Sequence, residues 1–143
     1  MYNFFRKIFK TNKKLTPIDS SFLSIYNNTE VSKLFEAISN FNNTSELRYV
    51  GGCVRKILNQ EDVDDIDLAE NLNPNQIKEC LQLNSIKFFE TGIKHGTITA
   101  NIGQKNFEIT SLREDVDTDG RHAKVKYTTD WLKDSSRRDF TIN

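Results

Sequence analysis

Apolar residues Val31, Leu34, Phe35, Ile38 and Phe41 recur at three- and four-residue intervals behind Thr29, a residue able to cap a helix, so the spacing predicts a core-facing helix over 30–41. The polar run NNTS ends it. Residues 47–50 then predict a short strand, Gly51-Gly52 a turn, and 53–58 a helix with Val54, Ile57 and Leu58 directed inward. Polar and apolar positions alternate over 65–69, which predicts a second strand with Ile66 and Leu68 toward the core. Asn73-Pro74 opens a helix whose Ile77, Cys80 and Leu81 share one face. Residues 86–89, 96–102 and 105–110 complete the strands, the last two joined through a tight turn at Gly103. The stretch 112–126 is rich in charge, poor in apolar residues and interrupted by Gly120, and it reads as a mobile loop before a short helix from Asp130. Units of strand then helix followed by a hairpin predict an α+β fold, a mixed sheet backed by helices. The segment RRDFTIN ends the chain where a further element is expected to begin.

At 143 residues, 36% hydrophobic and 28% charged, the chain has the size and core of one soluble domain. It divides into a basic amphipathic segment with linker over 1–29 and a folded domain over 30–143. Twenty basic against twenty acidic residues cancel, so no overall field marks nucleic acid or membrane as the partner. Charge is nonetheless segregated: 1–14 carries Arg6, Lys7, Lys10, Lys13 and Lys14 with no acid, whereas 61–70 holds six acids and no base. In the first segment Phe4, Phe5, Ile8 and Phe9 fall on one helical face, a pattern shared by interfacial helices, RNA-facing arms, organelle presequences and helices docked on their own domain. Cys53 and Cys80 show neither metal-ligand nor disulfide spacing, which favours a reducing compartment and the cytosol. No apolar run reaches the roughly 20 residues of a membrane span.

The acidic cluster carries the candidate chemistry. In VDDIDLAEN, Asp65 and Asp67 fall on one strand face about 5 to 7 Å apart, where like charges repel unless a cation lies between them. A hard divalent ion such as Mg²⁺ would relieve that repulsion and keep positions open for water and phosphate, although a solvated acidic strand end accounts for the tripeptide as well. An EF-hand beginning at Asp62 fails, because Ile66 stands at a ligating position and Asp67 where glycine is required. Upstream, the glycines of YVGGCVRKIL leave backbone N–H groups at a helix start, with Arg55 one turn in, and this is either an anion cradle or a tight structural turn. Glu108, alternating with Phe107 and Ile109, can join the aspartates on the same face as a third carboxylate or remain a surface acid. Arg137 and Arg138 precede Asp139, which can cap a following helix, and guanidinium forks suit phosphate. His95 reads as structural, since no other His or Cys stands at metal spacing.

Taken in order, VGGCVRKIL, DDIDLAEN, KHGTITA, FEITSLRED, TDGRHAKVKY and DWLKDSSRRDFTIN resemble the head domain of the class II tRNA nucleotidyltransferase and poly(A) polymerase family, over about residues 48–143. The resemblance implies a nucleotidyltransferase fold like that of DNA polymerase beta. It implies Mg²⁺ on Asp65, Asp67 and Glu108, triphosphate at Gly51, Gly52 and Arg55, and nucleotide contacts at Arg137, Arg138 and Asp139. A flexible loop would include Arg113, Asp119 and Arg121. The reaction implied is attack of an RNA 3′ hydroxyl on the α-phosphate of CTP or ATP, foremost in CCA addition to tRNA. A poly(A) polymerase, the A-adding half of a split enzyme, and a non-catalytic nucleotide- or RNA-binding remnant are the alternatives. Two departures stand out. Lys56 occupies a position where the family usually has Asp, and the neck, body and tail domains that select the base and grip tRNA would have to come from a further segment or another chain.

Overall fold

The computed structural model describes residues 29–116 and 124–138. Helix α1 (Thr29–Phe41) leads to strand β1 (Leu47–Tyr49), helix α2 (Gly52–Leu58), strand β2 (Asp67–Glu70) and helix α3 (Pro74–Leu83). Strand β3 (Lys87–Gly92), a 3₁₀ turn (Ile93–His95), and strands β4 (Thr97–Ile102) and β5 (Lys105–Ser111) follow. The described residues end with β6 (Arg113–Val116), β7 (Lys124–Tyr127) and helix α4 (Trp131–Ser136).

Five strands form a mixed sheet in the order β1-β2-β5-β4-β3, parallel only between β2 and β5. Helices α1 and α3 cover one face. Val31, Leu34 and Ile38 from α1 and Ile77 and Leu81 from α3 meet Leu68, Ile98 and Ile109 of the sheet, all at most 1% exposed. Burying such side chains contributes about 1.5–3 kcal/mol each. Helix α3 starts as its sequence requires: the Asn73 side chain accepts from the N–H groups of Asn75 and Gln76, and the Gln76 side chain accepts from the N–H of Asn73. The β4–β5 turn places Gly103 at φ +64. No described helix is long and apolar enough to cross a membrane.

The structure corrects three expectations. In α2 the buried residues are Cys53 and Ile57, one turn apart, while Leu58 is exposed and Val54 half-buried. Strand β2 begins at Asp67, leaving Asp65 in the approach to the strand, and extends to a fully buried Glu70. The ends of the charged 112–126 stretch are not loop but the paired strands β6 and β7. Their charges face each other across the ladder: Glu114 lies opposite Lys126 and is ion-paired to it at 2.8 Å. The basic segment 1–14, Asp119, Arg121, Asp139 and the expected element after it lie outside the described residues.

Candidate active site

Antiparallel pairing brings Tyr49 opposite Leu68, and the Val50 N–H donates to the Asp67 carbonyl at 3.0 Å. The chain then turns at Gly51, whose φ of 70° and ψ of −136° exclude residues with a Cβ at low cost. A Cβ built there would lie 3.4 Å from Asp67 Oδ2, so the carboxylate is set against the turn. Gly51 caps α2 without a side-chain acceptor of its own for the first N–H groups of the helix. The Arg55 guanidinium folds back to within 4.0 Å of the equivalent point on Gly52. Beneath the turn the Cys53 thiol donates to the carbonyls of Val50 and Asp67, and burial pushes its pKa up, so it is held as a neutral packing group.

Asp67 and Glu108 are register partners on the parallel strands β2 and β5, so the two carboxylates share a sheet face about 4.8 Å apart strand to strand. Asp65 is exposed two residues before, with its N–H bonded to Asp64 Oδ1. No hydrogen bond or ion pair among the described residues engages the side chains of Asp65, Asp67 or Glu108. Nor do any three described His, Cys, Asp or Glu side chains already enclose an ion site. The protein therefore offers a partial set of hard oxygen donors with open positions, which is the kind of set Mg²⁺ takes when water and phosphate oxygens complete its shell.

A cavity of about 230 Å³ opens beside Asp67, lined by Val50, Gly51, Asp67, His95, Thr97, Thr110, Arg113, Arg137 and Arg138. The structure thus gathers the glycine turn, one aspartate and three of the expected arginines. Asp65, Glu108, Gly52 and Arg55 stand outside this cavity wall. His95, expected to be structural, is also on the wall, and its carbonyl accepts from the Arg113 guanidinium at 2.7 Å.

The arginines are aimed by a residue the sequence reading did not single out. Asp134 is 3% exposed; its Oδ1 accepts from the Arg113 N–H and from Arg137 at 2.8 and 3.1 Å, and its Oδ2 accepts from Arg138 Nε at 2.8 Å. Burial alone would raise its pKa, but the N–H donors and guanidinium charges outweigh it and hold the carboxyl below the ordinary range. Arg138 makes this contact through Nε alone, and it lines the cavity. The available signal was D-x-x-R-R, an acid placed i to i+3 and i+4 of two arginines on a helix.

Residues 47–143 match the model of the Poly A polymerase head domain. The chain is 56% identical over 99 residues to the human mitochondrial CCA tRNA nucleotidyltransferase 1, covering 68% of this chain and 23% of that protein. It is 40% identical over 97 residues to a CCA-adding enzyme of Oceanobacillus iheyensis, covering 66% of this chain and 23% of the relative. The chain therefore spans about a quarter of the length of these relatives. Among solved structures it resembles the CCA-adding enzyme of Bacillus stearothermophilus in complex with CTP, with TM-score 0.64 and 26% identity over 78% of this chain and 25% of that one. The mixed sheet, the glycine turn against Asp67 and a family match covering both make the chain a member of the Poly A polymerase head domain family, with its α+β nucleotidyltransferase fold.

Proposed function

We propose that this chain is the catalytic head of a metal-dependent RNA nucleotidyltransferase that transfers CMP and AMP from CTP and ATP to an RNA 3′ hydroxyl, foremost in building CCA on tRNA. The observation that carries this reading is the register pairing of Glu108 with Asp67, which lies against the Gly51 turn and lines a cavity walled by three arginines. Asp65, Asp67 and Glu108 would hold Mg²⁺, which when bound neutralises phosphate charge and favours the attacking alkoxide. The chain's own residues bind and orient. The glycine turn, Arg55, Arg137 and Arg138 take the triphosphate and ribose, and Asp134 keeps the two latter guanidiniums aimed. In the reaction the RNA 3′ hydroxyl releases its proton to water, the bond from O3′ to the α-phosphorus forms, the bond from that phosphorus to the bridging oxygen breaks, and pyrophosphate leaves.

Lys56, the inverted charge beside the turn, is ion-paired to Asp64 and absent from the cavity wall, so it gives no support to a decayed site. Base selection and tRNA grip would come from a neck and body supplied by a further segment or another chain. The two buried, unpaired cysteines support a reducing compartment; we place the protein in the cytosol, with the mitochondrion of its named relatives as the alternative.

The test is incubation with Mg²⁺, labelled CTP or ATP and tRNA lacking its 3′ end, with and without a neck-bearing partner, followed by sequencing of the added nucleotides. Addition of CCA is expected, and Asp65→Ala and Asp67→Ala are each expected to abolish it in a folded protein. Unchanged incorporation in either variant would sink the metal assignment.

A further inference from the structure

Sheet register extends the active-site row beyond the carboxylates. Asp67 pairs with Glu108, Glu108 with Thr99, and Thr99 with Phe89, so these four side chains cross the sheet in one line on the face opposite α1 and α3. Phe89 lies two strands from Glu108, about 10 Å along the row. It is 41% exposed on the edge strand β3, whereas its neighbour Phe88 packs into the core. Lys87 Nζ sits 5.2 Å from the Phe89 ring centroid. The parallel row, Lys87, Asn101 and Asn106, is polar, and Asn101 Nδ2 donates a hydrogen bond of 2.7 Å to Asn106 Oδ1. The patch therefore presents one aromatic face, one cation and two amides, and Glu90, the acid beside it in sequence, has its charge paired to Lys78 of α3.

We propose that Phe89 and Lys87 form a stacking platform for the single-stranded 3′ end of the acceptor RNA. This rests on the nucleotidyltransferase reading and adds where the acceptor lies. Aromatic side chains on an open sheet face stack unpaired bases without regard to sequence, which suits an end whose terminal base changes with every addition. With the 3′ hydroxyl beside Glu108, a base about one or two nucleotides upstream reaches Phe89. Lys87 covers one ring face and places its charge beside the phosphodiester, leaving the other face for the base. An apolar protein partner would bury the lysine charge without a counter-charge.

The experiment uses the full chain and an RNA minihelix lacking CCA, with 2-aminopurine at the terminal or the penultimate position, in EDTA without nucleotide. Binding is expected to quench the fluorescence at one of the two positions. Phe89→Ala is expected to remove the quench and weaken RNA binding about tenfold, while Phe89→Trp keeps both and the KM for CTP stays unchanged. Asp67→Asn separates the two readings, since it should lose incorporation yet keep the quench. Full incorporation by Asp67→Asn overturns the enzyme reading. Absence of any quench in the parent chain, or wild-type binding and quench by Phe89→Ala, overturns the platform. So does a concentration-dependent rise in mass that Phe89→Ala abolishes while RNA binding is unaltered, because the patch then joins copies of the chain.

Discussion

Lys56 donates its ammonium to the carboxylate of Asp64, eight residues further along, and the same oxygen of Asp64 accepts the N–H of Asp65. Helix α2, which carries the glycine turn, is thereby tied to the approach to the aspartates. The hydrogen bond holds Lys56 above its ordinary pKa and Asp64 below its own, so both are charged across the neutral range. Both side chains remain substantially exposed, at 37% and 71%, and pairs of that kind are worth little. Lys56→Ala is accordingly expected to leave the KM for CTP within about threefold of the parent. The exchange Lys56→Asp with Asp64→Lys should match the parent as well. Steady-state kinetics decides, and a rise in KM well beyond tenfold for Lys56→Ala would mean that the ammonium contacts triphosphate.

Asp134 is a positioning residue whose loss should be felt twice. Its removal takes the counter-charge from two guanidiniums that are only 15% and 20% exposed, leaving Arg137 its bond to the Arg113 carbonyl, and takes the acceptor from the Arg113 N–H. Breaking one side of such a buried cluster costs about 3–5 kcal/mol, or roughly 10 °C in Tm for a domain of this size. Asp134→Ala is therefore expected to melt markedly lower. Asp134→Asn keeps one acceptor and should stay folded, with the KM for CTP raised about tenfold because the arginines lose their fixed direction. Equal KM values for Asp134→Asn and the parent would reduce its role to stability alone.

What could be read from the chain divides by range. The face of α3 was legible because Ile77, Cys80 and Leu81 repeat over ten residues behind an Asn-Pro start. In α2, seven residues are too few to set the phase, so the spacing directs Leu58 inward whereas the fold leaves it exposed. Charged β6 and β7 gain their support from each other, Glu114 from Lys126 and Arg113 from its place opposite Tyr127, and such pairing leaves no apolar alternation to detect. The pairing of Asp67 with Glu108 could only be raised as a possibility, because register between parallel strands 41 residues apart is a tertiary property. Asp134 and Glu70 passed unnoticed for the same reason. An acid reads as solvent-facing until the fold surrounds it.

Glu70 gives the sharpest dependence on pH. It lies in register with Ser111, fully buried, and among the described residues neither carboxyl oxygen nor the Ser111 hydroxyl has a hydrogen-bond partner. Burial pushes its pKa up from 4.5 to about 8. Between those values the folded chain keeps a proton that the unfolded chain releases, so stability falls as pH rises. The contribution is complete below about 4.5 and is lost through about 8, at up to about 1.4 kcal/mol per pH unit. Asp134, held below the ordinary carboxylate range, stays ionised throughout and adds nothing to this slope. Glu70→Gln keeps the shape and cannot ionise. Its Tm should change little between about pH 6 and pH 8.5, whereas the parent should lose several degrees, so that the variant becomes the more stable of the two at the alkaline end. Parallel melting curves across that range would show that Glu70 ionises in the folded chain as readily as in the unfolded one.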